Sequence, residues 1–201
     1  MARVLIIGAT GRVGSTTRDY LLERSEDQLT LMARHTQGLG QLDFSRERVI
    51  TGSVTDSSKL QEALQGQDAV FAALSGNLTT MASSLVKGMD AAGVKRLIFI
   101  SSMGIYDEIP ASVGASGNLS HNPMLADYRR AADVVEGSDL DYTVIRPGWF
   151  IDGEDPDYQI THKGEPFGGH DVCVSSIADL VMKLIHDPHL GLHDSLGINR
   201  R

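Results

Sequence analysis

The chain has 201 residues, of which 41% are hydrophobic and 22% charged, and its formal net charge is −8. This length and composition are typical of one globular domain that can bury a core. The acidic balance argues against a nucleic-acid-binding surface, which needs a basic face. The single cysteine, Cys173, excludes disulfides within the chain and cysteine-based zinc sites, and its apolar neighbours predict a buried strand thiol.

The chain also lacks the marks of a membrane or metal-binding protein. No apolar run reaches the roughly 20 residues of a membrane helix, and the chain begins with a strand pattern rather than a signal peptide. His186, His189 and His193 have a spacing that could suggest metal, but Pro188 interrupts any helix that would align them. We therefore expect a cytoplasmic protein with no metal site and no membrane contact.

Residues 3–14 run from an aliphatic strand into three glycines, Gly8, Gly11 and Gly14, and a helical pattern follows to about residue 24. Glycines let the backbone turn and approach a diphosphate, and the start of the helix supplies N–H groups to it. Because this motif follows a strand and opens a helix, it predicts a dinucleotide-binding site.

Strand and helix patterns then alternate along the chain. Strands are predicted at residues 3–7, 28–33, 49–52, 69–74, 95–102 and 141–146, with short strands near 158–162 and 172–174 and a last one at 195–199. Helices are predicted at residues 12–24, 79–92 and 123–136, from an Asp56 cap to Leu64, from a cap by Ser176 and Asp179 to about His186, and briefly around 39–44.

The strands are aliphatic without alternation, which is typical of strands buried on both faces of a parallel sheet between helices. The pattern predicts an α/β fold, a Rossmann-type doubly wound parallel sheet in one domain over residues 1–201. Residues 103–122 form a long connection rich in Gly, Ser and Asn. Long connections of this kind are usually functional, and we expect substrate loops at about 103–122 and 149–170.

Three motifs together resemble a known family. They are Gly-Ala-Thr-Gly-Arg-Val-Gly at 8–14, Ile-Ser-Ser-Met-Gly-Ile-Tyr at 100–106 and Tyr-Thr-Val-Ile-Arg-Pro-Gly at 142–148. In this order and spacing the chain resembles the atypical short-chain dehydrogenase/reductases, most of all the NmrA-like NAD(P)H-binding proteins, to about residue 186. The resemblance implies cofactor contacts from the glycine loop, from the ends of strands three and four, and from the Pro-Gly after strand six. The residues concerned are Gly8, Thr10, Gly11, Arg12, Val13, Ser53, Val54, Ala72, Leu74, Pro147 and Gly148.

The end of the second strand indicates which cofactor is preferred. NAD-binding proteins usually carry a carboxylate there for the ribose 2′-hydroxyl, whereas this strand ends in Arg34 and His35. The guanidinium of Arg34, together with that of Arg12, could bind a 2′-phosphate through its bidentate fork. The sequence therefore favours NADP(H) over NAD(H), unless both arginines are merely solvated surface residues.

The resemblance also implies a serine after strand five and a Tyr-x-x-x-Lys pair on the next helix. Ser101 or Ser102 matches the serine and Tyr128 the tyrosine, but Ala132 occupies the lysine position. An isolated tyrosine has a pKa near ~10, so it can act as an acid but is a poor base. Tyr128 thus contacts cofactor or substrate, or is only a packing residue.

Three further residues are weaker candidates around the same site. Tyr106 and His121, both in the long connection, are alternative proton donors. By the resemblance, the backbone of Pro147–Trp149 would bind the nicotinamide carboxamide, and the side chain of Trp149 would wall the substrate pocket unless it forms a core or subunit contact.

Two classes of function remain open. The first is an NADP(H)-dependent oxidoreductase that reduces a small carbonyl, quinone or flavin-like substrate. The second is a non-catalytic NAD(P)(H) sensor that binds a partner protein, which the missing lysine favours. A sugar-nucleotide epimerase is less favoured, since the lysine is needed there and the C-terminal part is short. The expected partner is a small-molecule substrate, with a homodimer or a regulatory partner left open.

Overall fold

The structure, a computed structural model, describes residues 1–154 and 157–201. The strands are β1 (Arg3–Ile7), β2 (Gln28–Ala33), β3 (Glu47–Thr51), β4 (Ala69–Ala72), β5 (Arg96–Ile100), β6 (Asp141–Pro147), β7 (Trp149–Ile151), β8 (Tyr158–Thr161), β9 (Asp171–Cys173) and β10 (Asp194–Arg200). The helices are α1 (Arg12–Arg24), α2 (Ser57–Leu64), α3 (Leu78–Ala92), α4 (Ala126–Glu136) and α5 (Val174–His186). Short 3₁₀ turns occupy Gln37–Leu39, Ala115–Gly117 and Pro123–Leu125.

The central sheet has the strand order β3-β2-β1-β4-β5-β6-β10-β8. Its neighbouring strands run parallel except for β8, which is antiparallel to β10 and departs from the predicted all-parallel arrangement. The order reverses between β1 and β4, and in such sheets ligands bind in the crevice at the carboxyl ends of those strands. The predicted Rossmann-type doubly wound fold in one domain is confirmed.

Each face of the sheet is covered by its own layer of helices. Along β1, Leu5 and Ile7 pack with the layer of α2, α3 and α4, while Val4 and Ile6 pack with α1 and α5. The strand is therefore buried on both sides, as its uninterrupted aliphatic pattern predicts. Cys173, at the end of β9, is buried as predicted. Within the described ranges, no helix is long and apolar enough to cross a membrane.

The predicted short helix at residues 39–44 is wrong. Only the 3₁₀ turn at Gln37–Leu39 forms, and the chain then crosses the buried side chain of Arg18. The guanidinium of Arg18 donates to the carbonyl oxygens of Leu39 at 2.6 Å and Gln41 at 2.8 Å, and it pairs with the carboxylate of Glu47. Those carbonyl oxygens serve a buried cation instead of a helical hydrogen bond, which is why a helix does not continue there.

The predicted cap of the last helix is also wrong. Helix α5 begins at Val174, with Cys173 as its N-cap, so Ser176 lies inside the first turn. The carboxylate of Asp179 accepts hydrogen bonds from the hydroxyls of Tyr20 at 2.9 Å and Tyr158 at 2.6 Å. These partners come from α1 and β8, so Asp179 links three elements instead of closing the helix end.

The segment after β6 contains a strand that the sequence does not reveal. Trp149–Ile151 forms β7 and pairs in parallel with β9, which makes a two-stranded sheet apart from the central one. Three residues are too few to show a period, so the pattern reads as loop. This small sheet places Trp149 and Phe150 beside the end of β6.

We expect the substitution Gly14→Ala to lower the free energy of unfolding by about 1–3 kcal/mol, because a Cβ there would overlap the carbonyl oxygen of Gly8. Gly38→Ala is the matched control, since its Cβ would lie 3.9 Å from the nearest side-chain atom, on Thr10. Urea denaturation measures both. Equal stabilities for the two variants would contradict this account of the turn.

Candidate functional site

The turn between β1 and α1 is packed so closely that two of its glycines have no room for a side chain. Gly8 has φ +85°, and a Cβ there would overlap the carbonyl oxygen of Ala73 at the end of β4. The amide of Gly8 donates to the carbonyl oxygen of Met32 in β2 at 2.9 Å. A Cβ on Gly14 would overlap the turn itself. The turn is thus held against both neighbouring strands, where the strand order reverses.

The first turn of α1 is left open for an anion. Gly11 is its N-cap, no side chain caps the helix, and no acidic residue lies in its first turn. The first helical hydrogen bond runs from the amide of Ser15 to the carbonyl oxygen of Gly11 at 2.8 Å. The preceding amides are those that a helix leaves without intrahelical acceptors, and together with the helix dipole they favour negative charge.

A groove passes over this turn along the carboxyl ends of β1 to β4. Seven of the residues predicted to bind the cofactor line it: Gly8, Thr10, Gly11, Arg34, Ser53, Val54 and Leu74. Ala73 and Ser75 also line it, in the loop after strand four that was expected to run beside the cofactor's ribose, and so do His35 and Met81, which were not predicted to bind the cofactor. Val13 and Ala72 do not, because their side chains are packed in the core at 7% and 0% exposure.

Arg34 is exposed in the groove wall, directly after β2. It is the one arginine in residues 1–154 and 157–201 that has no hydrogen-bond, ion-pair or ring partner in the chain. In a protein of net charge −8, a guanidinium without a carboxylate partner beside a groove is an anion-binding group available for a ligand.

Arg12 does not share this position. Its guanidinium pairs with Asp152 at 2.5 Å and lies 6.0 Å from the centre of the Phe150 ring. It is not part of the groove wall, so the prediction that Arg12 joins Arg34 at one phosphate is not supported by this arrangement. Arg12 instead connects the glycine turn to the segment after β7.

A second pocket lies further along the same edge of the sheet, at the ends of β5 and β6. The predicted residues Ser101, Ser102, Tyr128, Pro147 and Gly148 all line it. The rest of the wall is Met103, Gly117, Asn122, Leu125, Trp149 and Phe150, so no charged side chain faces this pocket. Trp149 is 61% exposed and stacks on His170 with ring centres 6.3 Å apart, as a wall and not a core residue.

Helix α4 is fixed by contacts on both sides of Tyr128. The hydroxyl of Ser101 lies 3.5 Å from the carbonyl oxygen of Tyr128. The carboxylate of Asp127 accepts from the amide of Leu78 at 2.6 Å and from the hydroxyl and amide of Thr79, at the start of α3. The Thr79 hydroxyl, followed by the two amides, holds the pKa of Asp127 below its ordinary value against the opposing effect of burial.

The position one turn after Tyr128 faces the core. Ala132 is fully buried there, among side chains of α3 and the sheet. The two arginines nearest in sequence are held by carboxylates, Arg129 by Asp133 at 2.8 Å and Arg130 by Asp127 at 3.5 Å. Both guanidinium groups are thus engaged by carboxylates, and neither replaces the missing lysine beside Tyr128.

The two alternative proton donors lie elsewhere. The hydroxyl of Tyr106 donates to Glu136 at 2.6 Å and lies 3.2 Å from the hydroxyl of Ser195, and Tyr106 does not line the second pocket. Burial, followed by the hydrogen bond to Glu136, raises the pKa of Tyr106 well above its ordinary value. His121 is exposed and bonded to the hydroxyl of Ser120 at 3.0 Å. Neither is placed to donate a proton in the pocket.

A buried ion pair supports the second pocket from behind. Arg146 and Glu108 are 2.5 Å apart, with side chains 0% and 5% exposed. Glu108 also accepts from the amides of Gly104 at 3.0 Å and Tyr106 at 2.9 Å, and so shapes the start of the long connection. Because Arg146 directly precedes the Pro147-Gly148 wall, this pair, which we call the Arg146–Glu108 clamp, joins two walls of the pocket. The position of Arg146 in an otherwise apolar strand could have indicated a buried ion pair, but nothing in the sequence around Glu108 identified it as the partner.

The comparisons with known proteins agree with this geometry. A family model described as NAD(P)H-binding matches residues 8–188, which include both pockets. The chain belongs to the NAD(P)H-binding family. The predicted resemblance to NmrA-like atypical short-chain dehydrogenase/reductases is confirmed, and with it an oxidoreductase-like fold for a nicotinamide cofactor.

Two solved members of this structural group align over nearly the whole chain. A Rossmann-fold NAD(P)-binding family protein from Shigella flexneri is 35% identical, covers 100% of this chain and 94% of its own, and has a TM-score of 0.86. A short-chain dehydrogenase/reductase from Veillonella parvula, solved in complex with NADP, is 24% identical with a TM-score of 0.91, covering 99% of this chain and 94% of its own.

A curated relative extends the comparison to a named oxidoreductase. The NmrA-like family domain-containing oxidoreductase himF of Aspergillus japonicus is 27% identical over an alignment of 165 residues that covers 76% of this chain. The chain spans about half the length of that relative, 48%.

We expect each of the single substitutions Arg146→Met and Glu108→Gln to lower the free energy of unfolding by about 3 kcal/mol, because each leaves a buried polar partner unmatched. The loss of free energy of unfolding in the double variant should be smaller than the sum of the two single losses by ~1 kcal/mol or more, measured by urea denaturation. The exposed pair Lys95–Asp139 is the control, with a coupling below about 0.5 kcal/mol. A clamp coupling no larger than that of the control would refute the assignment.

Proposed function

We propose that this protein is an NADP(H)-dependent oxidoreductase that reduces a small carbonyl, quinone or flavin-like substrate. One observation carries the proposal. A groove with a glycine turn, an uncapped helix start and an arginine without a partner adjoins a pocket with no charged wall, along one edge of the sheet.

The residues of the groove fit a dinucleotide. The closely packed glycine turn presents backbone without side chains to the groove, and the start of α1 supplies amides for a diphosphate. Ser53 and Val54 would lie along the adenosine, Leu74 along a ribose, and Pro147 and Gly148 along the nicotinamide. Val13 and Ala72 could contribute only through their backbones, since their side chains are buried.

Arg34 would select NADP(H) over NAD(H). A guanidinium matches a 2′-phosphate with two parallel hydrogen bonds, and no residue in the described part of the chain pairs with this one. Among the described residues, no carboxylate lines this groove to accept the 2′-hydroxyl of NAD. The NADP complex of the Veillonella parvula protein supports the same choice by analogy.

The second pocket would hold the substrate, and the bound cofactor would supply the hydride. Tyr128 would donate the proton, and Ser101 or Ser102 would orient the reacting oxygen by a hydrogen bond. Residues 103–122 and the described parts of 149–170 would enclose the substrate. An uncharged, partly aromatic wall suits a neutral planar ring better than a charged or phosphorylated group.

We expect Arg34→Gln to raise the Kd of NADP⁺ about tenfold or more while the Kd of NAD⁺ changes less than about twofold, because only NADP⁺ carries the 2′-phosphate. Isothermal titration calorimetry measures both. Arg12→Gln is the matched control, since Arg12 is paired with Asp152, and it should leave the ratio of the two constants unchanged. If Arg34→Gln and Arg12→Gln reduced the preference for NADP⁺ over NAD⁺ equally, the assignment of Arg34 to the 2′-phosphate would be wrong.

We expect Tyr128→Phe to reduce kcat about a hundredfold with a ketone or aldehyde and far less with a quinone. A reduced carbonyl is a strongly basic alkoxide that needs a donor, whereas a reduced quinone is a much weaker base that water can protonate. Steady-state oxidation of NADPH reports both rates, and Tyr142→Phe is the control because Tyr142 does not line the pocket. Equal reductions with both substrates would contradict a proton-donor role.

The buried Ala132 favours a second candidate, a non-catalytic sensor whose occupancy by NAD(P)(H) changes a partner-binding surface. A sensor would bind the oxidised and reduced cofactors with different affinities and show no turnover with carbonyls, quinones or flavins. Titration of all four cofactor forms, followed by that substrate panel, decides between the two. Equal affinity for all four forms would eliminate the sensor, and lack of turnover across the panel would eliminate the reductase.

A further inference from the structure

His35 lies beside Arg34 at the end of the groove and is exposed there. Five of the seven histidines have a side-chain partner: His121 has Ser120, His162 has Asp194, His170 has Asp171, His186 has Asp27 and His193 has Asp141. Across residues 1–154 and 157–201, only His35 and His189 have none. His35 thus combines an unengaged imidazole with a place in the wall of a proposed ligand site.

In the described part of the chain, the walls around His35 carry no carboxylate that could neutralise a positive charge on its imidazole. The glycine turn contributes Gly8, Thr10 and Gly11, the end of β3 contributes Gly52, Ser53 and Val54, and the end of β4 contributes Ala73, Leu74 and Ser75. The rest of the wall is apolar and consists of Ile7, Met32, Ala33 and Met81. Among the described residues, Arg34 is therefore the only other charged or titratable side chain in the lining.

The charged side chains near the end of β3 and the start of α2 already have partners in those two elements. The carboxylate of Asp56 caps the helix by accepting from the amide of Lys59 at 3.1 Å. Lys59 packs on Gly52 and pairs with Glu62 at 3.0 Å, and Glu62 also pairs with Arg48 at 3.3 Å. These groups are satisfied among themselves, so a phosphate in the groove would meet Arg34 and His35.

We propose that His35 is a second binding group for the 2′-phosphate of NADP(H), and that it makes the preference for NADP(H) over NAD(H) depend on pH. The proposal rests on the proposed function, since it assumes that NADP(H) occupies the groove. A protonated imidazole adds a positive charge and a second N–H donor, whereas neutral imidazole keeps one donor. Histidine is the side chain that usually changes charge between pH 5 and 8.

The sign of the effect follows from proton linkage. A bound phosphate dianion stabilises the imidazolium form, so binding takes up a proton and is strengthened as the pH falls. The phosphate itself gains a proton near pH ~6, which works in the opposite direction. A comparison of the wild type with His35→Gln at each pH separates the effect of the imidazole from that of the phosphate, because protonation of the phosphate affects both proteins alike.

The experiment measures the Kd of NADP⁺ and of NAD⁺ by calorimetry at pH 6.5 and 8.5 for the wild type and three variants. In His35→Gln, the preference for NADP⁺ should be about fivefold lower than in the wild type at pH 6.5 and nearly unchanged at pH 8.5. His35→Lys should retain the preference at both pH values, since its charge is permanent. His189→Gln, the matched control, should behave as the wild type.

The outcomes separate the inference from the proposed function. A wild-type preference for NADP⁺ with no difference between wild type and His35→Gln at either pH would overturn the role of His35 and leave the proposed cofactor standing. A wild type that prefers NAD⁺, or binds neither form, would overturn the proposed cofactor and this inference with it. A pH-dependent loss in His35→Gln that His35→Lys restores would establish the inference.

Discussion

The contact between the Gly8 turn and the carbonyl oxygen of Ala73 determines how the whole ligand-binding edge is arranged. It fixes the distance between β1 and β4 where the strand order reverses, and there is no space in it for a Cβ atom. Since α1 starts from the same turn, this contact also sets where the helix dipole points. The groove lies at the carboxyl ends of β1 and β4, beside this closely packed contact between them.

The charges of the molecule divide into those that build the site and those that are left for a ligand. Arg18 and Arg146 are buried, and each is satisfied by a carboxylate and by backbone carbonyl oxygens. Such pairs are costly to desolvate, so their value lies in the geometry that they impose. Arg34 has the same chemistry but no partner in the described chain. A single residue type is therefore paired within the scaffold at two positions and without a partner at a third, according to what the fold places beside it.

Most of the fold could be predicted from local patterns, because strands buried on both faces and helices with one apolar face leave periodic signals. The Asp56 cap of α2 was found this way, since its partner is three residues away. What could not be predicted depends on distant partners. Arg12 meets Asp152, 140 residues later, and Tyr106 meets Glu136 and Ser195. No pattern within a short window contains such pairs.

The same reasoning applies to the candidate site. The glycine motif, Arg34 and the Ser-Tyr pair were predicted from residue types in order, because these positions follow the ends of consecutive strands or lie on the next helix. The Arg146–Glu108 clamp was missed, although it shapes the pocket, because its effect is visible only when β6 and the long connection are seen together. The sequence assigned no role to His35, because Arg34 alone accounts for the predicted preference for a phosphate.

The Arg12–Asp152 pair joins the cofactor turn to the segment after β7, and its side chains are 47% and 99% exposed. Added salt weakens exposed pairs of this kind, whereas the side chains of the Arg146–Glu108 clamp are shielded from counterions. Ionic strength is therefore expected to act selectively on this molecule. Added salt should weaken the link between the glycine turn and the segment after β7 and leave the buried clamp intact.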